Sequence, residues 1–401
     1  MTISRKKFLA VILLFSSSFA WFYVFYNDFN NLIHSSIPEE SIWYNIAVLL
    51  FLSFTVISAF LGSFIAERVN RRKFLLFWII FGILVLLPVP FIQIEEIVPF
   101  FGILIGFSFG LGFPSCQAFI AESTTPEERG RVSGTVVLIS FFLAMLFFLI
   151  IPSLGLGSLT VLIALIGLKL LTLVAFLLDP IDRTKGEPRP WRFVFGSKDF
   201  NYYVLAFIMF SIAASLVNIV WGTLYLDPRY IQVTQTAQAI RFVGIGIFAI
   251  TAGLLADRIG RKKPIIIGLV MLGAAYTIVG LITTPKTYFF NLVVSGFAWG
   301  MLFTLFLVIP GDLAYSGSTE RYYVTGWLLP ITIFIGITGL GDFIGLDIPL
   351  TLYTTILTIT LFATILPILS AAETLSESKI RQRRFKDYTE KVGKIVQEAR
   401  K

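Results

Sequence analysis

The stretch GLLADRIGRKK at residues 253–263 follows a weaker copy of itself, SFIAERVNRRK at 63–73. Arg68 and Arg258 lie 190 residues apart, and each block separates two long apolar segments. A basic connector of this kind cannot enter hydrocarbon. It therefore marks a turn at a membrane surface, and its recurrence near half the chain length implies a protein built twice. Two further features repeat: GFSFG at 106–110 returns as GFAWG at 296–300, and ERGRVSG at 128–134 returns as ERYYVTG at 320–326. Matched features in matched order are what an internal duplication leaves behind.

Composition agrees. The 401 residues are 56% hydrophobic and only 14% charged, where a soluble domain carries about 25% charged residues. Apolar segments of bilayer-spanning length fall near 8–26, 43–66, 74–93, 98–121, 132–151, 158–178, 202–226, 235–256, 264–283, 288–311, 323–341 and 348–371. The expected fold class is an all-α polytopic membrane protein with twelve transmembrane helices, arranged as two pseudo-symmetric six-helix bundles. The expected organisation is a first bundle over 1–179, a cytoplasmic linker over 180–200 containing Pro180, Pro188 and Pro190, a second bundle over 201–372, and a basic amphipathic tail over 373–401. The first apolar run reads as an uncleaved helix, because it continues through WFYVFY to Tyr26.

Charge distribution sets the orientation. With the N-terminus inside, the inner loops and tails hold 28 Lys and Arg and the outer loops two. That asymmetry places both termini in the cytoplasm of a multi-pass cell-membrane protein. The net charge of +8 then reports topology and not nucleic-acid binding, for which no aromatic-basic motif is present. One cysteine, Cys116, and one histidine, His34, offer neither an intramolecular disulfide nor a metal cluster, so no cofactor or metal is expected. No nucleophile, base and orienter constellation is visible, so the chain does not read as an enzyme.

Taken in this order, the motifs resemble the major facilitator superfamily of secondary transporters, over the whole chain except the tail. Gly253, Asp257, Arg258, Gly260, Arg261 and Lys262 fit that family's loop signature between the second and third helix of each half. The first copy departs from it, with Ser63, Glu67 and Asn70 at the Gly, Asp and Gly positions. The resemblance implies a gating network at the inner face from Glu67, Arg68, Arg71, Glu122, Arg129, Asp257, Arg258, Gly260 and Arg261, stabilising an outward-open state. Physically, a carboxylate at a helix end followed by cations across a turn, where Gly or Asn adopts a left-handed conformation, offers salt bridges that break and reform.

The resemblance also implies that the first, fourth, seventh and tenth spans line a midplane cavity, while the third, sixth, ninth and twelfth face lipid. Candidate substrate contacts are then Trp21, Tyr23 and Tyr26, Gln117, Asn218, Trp221 and Tyr225, and Asn291 and Trp299. In the eighth span Thr234, Gln238 and Arg241 follow helical spacing as one polar stripe. A guanidinium there faces the bundle interior or water. It holds an anionic group of the substrate, or it pairs with Asp227 or Asp342. Lys169 falls near the middle of the sixth span, where it either snorkels along its own stem or faces the cavity or a partner. The middle third of every span lacks Asp and Glu, so proton coupling falls to an end-located group such as Asp28 or Asp312, or is absent.

The expected function is secondary transport of a small organic solute, anionic or zwitterionic, by alternating access. The expected partners are that substrate, the lipid bilayer and a coupling ion, with the chain working as a monomer. The alternatives are a non-transporting receptor or trafficking protein of the same fold, and an exporter of hydrophobic drug-like compounds.

Overall fold

The computed structural model describes residues 3–33, 42–92, 94–154, 158–182, 186–225, 228–340, 350–378, 380 and 382. Among these the regular structure is helical throughout. A chain this apolar can cross hydrocarbon only by satisfying every backbone N–H and C=O within itself, and a helix does so.

The first half contains α1 (Arg5–Ile33), α2 (Ile42–Ala66), α3 (Arg71–Leu86), α4 (Val98–Ser123), α5 (Pro126–Leu154) and α6 (Ser158–Leu178). A five-residue helix, Trp191–Phe195, stands in the connector. The second half contains α7 (Lys198–Tyr225), α8 (Pro228–Ile259), α9 (Lys262–Leu281) and α10 (Pro285–Leu313). α11 runs through three consecutive pieces, Thr319–Tyr323, Val324–Leu328 and Leu329–Leu340, and α12 through Leu350–Ala363 and Ile365–Ser370.

Ten helices among the described residues are long and apolar enough to cross a membrane. The two other expected spans are α3 and α11. α3 has only 16 residues and ends at Leu86, short of position 93, because Pro88 and Pro90 stop the ladder there and a 3-10 turn over Val89–Phe91 follows. α11 is interrupted by a π-helical turn at Val324–Leu328, a feature often found at functional sites.

The repeated GFSFG and GFAWG motifs have the same physical use in both halves. A Cβ on Gly106 would lie 2.1 Å from the Phe51 carbonyl oxygen and one on Gly110 1.9 Å from that of Thr55. In the second half, a Cβ on Gly296 would lie 2.7 Å from the Arg241 oxygen and one on Gly300 2.2 Å from that of Ile245. The motif thus lets α4 lie directly on the backbone of α2, and α10 on that of α8. Across the halves α5 packs along α8, and α2 meets α11. The outward rows of α3, α6, α9 and α12, including Phe77, Leu84, Ile163, Leu177, Leu281 and Ile359, are exposed and apolar. Such faces need hydrocarbon as solvent.

Candidate functional site

Between the halves lies a cavity of ≈ 250 Å³. α1 contributes Phe19, Phe22, Tyr23 and Tyr26, α7 Asn218, α8 Arg241, Phe242 and Ile245, and α10 Trp299 and Phe303. Phe141 of α5 and Ile331, Phe334, Ile335 and Thr338 of α11 complete the wall. Positions 19, 22, 23 and 26 are one helical face of α1, in its half remote from Arg5. The lining is mostly aromatic and aliphatic, with Asn218 and Thr338 as uncharged polar members and Arg241 as its single cation among the described residues. Arg241 makes no ion pair among those residues, and its Nε is buried without a hydrogen-bond partner.

An aromatic floor separates this cavity from the basic face. Trp327, carried by the π-helical turn of α11, lies 5.6 Å from Phe113 and 5.2 Å from Phe303, ring centre to ring centre. Phe113 meets Phe15 at 5.3 Å, and Phe303 meets Phe19 at 5.3 Å and Phe141 at 5.7 Å. Edge-to-face and tilted contacts of this kind bring both halves together without polar groups.

Beneath the floor lies an ionic layer that repeats with the sequence. Arg71 donates to Glu122 at 2.9 Å and to Glu320 of α11 at 2.7 Å. Arg261 and Asp312, each 190 positions later than Arg71 and Glu122, form the same pair at 2.9 Å. The other Asp312 oxygen accepts from Arg129 of α5 at 2.6 Å. The two signature carboxylates also reach across. Asp257 accepts the backbone N–H groups of Gly130 at 2.9 Å and Arg131 at 3.0 Å, and Glu67 accepts both arms of the Arg321 guanidinium.

The Asp-to-Glu departure of the first copy now has a physical reason. The short Asp257 meets a helix backbone held close by glycines, since a Cβ on Gly253 would lie 2.2 Å from the Gly130 carbonyl oxygen. The longer Glu67 meets a long guanidinium. Arg71, Arg261, Asp312 and Glu320 have side chains with no exposed surface, where an ion pair must satisfy its own members. Burial alone would pull the Arg261 guanidinium down, but the carboxylates of Asp312 and Asp257 outweigh it and hold it above its ordinary value.

The segment after α12 joins this layer. Glu373 accepts the backbone N–H groups of Arg261 at 2.7 Å and Lys262 at 3.1 Å, so it caps α9 from another part of the chain. Thr374 donates to Asp312 at 2.9 Å, and the Lys262 ammonium donates to the carbonyls of Leu369 and Ala371.

Several expected positions lie elsewhere. Arg68 and Arg258 are exposed, Arg68 against the ring of its neighbour Phe64 at 3.8 Å, and neither joins the ionic layer. The buried cations are Arg71 and Arg261, three positions along, beyond the turn. Gly260 is left-handed at φ 93. Asn70 is not: it is extended at φ −63, ψ 120, and caps α3 by accepting from the Lys73 N–H. Tyr26, Asn218, Trp299 and Arg241 line the cavity, whereas Trp21, Gln117 and Asn291 are buried off it. For Trp21 the reason is periodicity, since it falls on the face of α1 opposite Tyr23. Gln117 lies one turn past Phe113, on the basic side of the floor. Lys169 points inward and is fully buried. The side chains of Trp221, Tyr225 and Gln238, those of Asp28, Asp227 and Asp342, residue His34 and the apolar stripe of the tail lie outside the described residues.

Sequence reasoning assigned no role to Glu320, Arg321 and Glu373, and treated Asp312 only as an end-located acid. The signal for the first two was the ER pair shared by ERGRVSG and ERYYVTG, and for Asp312 its offset of 190 from Glu122. Glu373 carried no signal, because its partners are backbone amides.

A two-fold repeat of six helices around a central cavity, closed on one face by paired charges, is the build of a membrane transporter. The Major Facilitator Superfamily model matches residues 8–338, and the chain belongs to that family. No curated protein matches it in sequence. Among solved structures, the human organic anion transporter MFSD10 (TETRAN) is similar at TM-score 0.66 and 13% identity, covering 91% of this chain and 99% of that one. The proton:xylose symporter XylE bound to 6-bromo-6-deoxy-D-glucose is similar at TM-score 0.63 and 13% identity, covering 94% and 98%. A bacterial homologue of the iron transporter ferroportin in an outward-facing state is similar at TM-score 0.70 and 12% identity, covering 92% and 99%. At these identities the likeness concerns the fold.

Proposed function

We propose that the chain is a secondary transporter of small organic anions or zwitterions with an apolar body, working by alternating access in a cell membrane with its basic face toward the cytoplasm. The observation that carries the reading is Arg241, a cation without a carboxylate partner among the described residues, on the wall of a cavity that is otherwise uncharged and mostly aromatic. A ligand carboxylate there would meet a guanidinium suited to bidentate pairing while its body lay against Phe22, Tyr26 and Trp299. The description of one similar structure as an organic anion transporter supports this choice. The floor and the ionic layer close the basic side, so the shape described corresponds to a state turned toward the opposite face, and the layer acts as the gate that opens in the other half of the cycle.

The test is binding of 2-naphthoate and its neutral counterpart 2-naphthamide to the purified full chain, read by thermal stabilisation. The acid is expected to bind more tightly, and Arg241→Gln to weaken it about 10- to 100-fold while leaving the amide unchanged. That factor corresponds to a hydrogen bond to a charged group, about 1.5–3 kcal/mol. Equal affinity for acid and amide in the wild type would sink the anion reading. It would select the second one, export of uncharged aromatic compounds, which the aromatic lining favours.

A further inference from the structure

Lys169 sits in the middle of α6, about 14 Å by helical rise from the end of that helix at Leu178. Its side chain is completely buried inside the first six-helix bundle, and its Nζ has no hydrogen-bond partner among the described residues. Two indoles enclose it instead: Nζ lies 4.1 Å from the centre of the Trp21 ring and 4.2 Å from that of Trp78. The room for it comes from Gly82 of α3, where a Cβ would come within 3.1 Å of both Cε and Nζ.

An ammonium at this depth demands a counter-charge or an aromatic cage. α1 presents Trp21 and α3 presents Trp78, while α4 presents the Ser108 hydroxyl and the thiol of Cys116, the one titratable group facing Lys169 among the described residues. The charged residues Glu127, Glu128, Arg129 and Arg131 of α5 sit in its first turns, and Arg71, Arg72 and Lys73 open α3, all at the basic end. Asp28, further along α1, has a side chain outside the described set.

This arrangement tolerates two protonation states. The ammonium is held by two ring faces, and the neutral amine gives up no hydrogen bond to the described residues. The difference is felt at the cavity. Trp21 stacks on Phe109 at 5.9 Å, Phe109 stacks on Phe22 at 4.1 Å, and Phe22 lines the cavity together with Phe19, Tyr23 and Tyr26 of the same helix. Loading or unloading a charge on one face of Trp21 therefore changes what holds α1 in place.

We propose that Lys169 is the proton-binding site of this transporter, taking up a proton as ammonium between Trp21 and Trp78 and releasing it as neutral amine, with α1 carrying the difference to the cavity. The site rests on the transport reading, and two measurements separate the two ideas.

The first needs no substrate: tryptophan emission of the purified full chain is followed from pH 5.5 to 9.5 in wild type, Lys169→Met and Trp21→Phe. A reversible step in the wild type, absent in Lys169→Met and diminished in Trp21→Phe, is expected. No step in the wild type, or the same step in Lys169→Met, overturns the assignment. Should Lys169→Met fail to fold, Lys169→Gln and Trp21→Phe carry the comparison. The second is uptake of 2-naphthoate into liposomes under an imposed pH gradient. Wild type is expected to accumulate the probe and Lys169→Met to equilibrate it, with at least a tenfold smaller plateau. Undiminished accumulation by Lys169→Met overturns the proton site and leaves transport intact. A titrating Lys169 without uptake of any anion or neutral analogue leaves the site intact and removes the transport reading.

Discussion

Asparagine in place of Asp312 is expected to open the basic face of the protein. The carboxylate joins Arg129 of one half to Arg261 of the other, at 2.6 and 2.9 Å, and its side chain has no exposed surface. Asparagine fills the same volume, but it has one acceptor oxygen in place of two and no charge, so two largely buried guanidinium groups lose their shared anion. Breaking a buried pair costs about 3–5 kcal/mol. Each 1.4 kcal/mol is a factor of ten in population, so the balance between states should move by about two to three and a half orders of magnitude. Spin labels at positions 127 and 258, on either side of the α5–α8 seam, would read this as a shift of the distance distribution to longer values. An unchanged distribution would mean that the layer is not what holds the two halves together on this face.

Gly253→Val should produce a similar opening by a different cause. The new Cβ would be built 2.2 Å from the carbonyl oxygen of Gly130 and 3.1 Å from the Cα of Arg131. Those atoms are backbone, so no rotamer change relieves the overlap and α8 must move off α5. Overpacking costs about 1–3 kcal/mol. The displacement also withdraws Asp257, one turn along, from the amides of Gly130 and Arg131, which adds the loss of charge-assisted hydrogen bonds, about 1.5–3 kcal/mol. Gly167→Ala is the matched control, because a Cβ there meets nothing within 4 Å. It should leave the label distances alone and, in a helix interior, raise stability by up to about 1 kcal/mol. If both variants behave alike, the close approach of Gly253 to Gly130 is not limiting.

The fold was legible because the constraints that set it are written in runs and repeats. Apolar segments of one length, separated by basic turns, leave few alternatives to a helical bundle, and the 190-residue offset carries the two-fold relation directly. The same offset pairs Arg71 with Arg261 and Glu122 with Asp312, so half of the ionic layer was available from sequence. The cross-pairs were not. That Glu320 meets Arg71, or that Asp257 meets amides of α5, depends on how far the halves are rotated against each other. Cavity residues were legible only where the facing side of a helix was known: Tyr23 and Tyr26 share a face, and Trp21 does not. Lys169 looked misplaced on a lipid-facing helix. It turns inward because α6 has an inner side too, and the indoles that receive it come from α1 and α3.

Glu373 and Thr374 reach the charged layer from beyond the last helix, tying the segment after α12 to Arg261, Lys262 and Asp312. On the gating reading proposed above, the strength of that layer is set in part from beyond α12, by residues that cap α9 and hold Asp312 without lining the cavity. On the same reading, loss of Glu373 and Thr374 would loosen the layer at Arg261 and Asp312 and change turnover without altering the cavity wall. The chain with and without the residues after Ser370 should not be treated as interchangeable specimens.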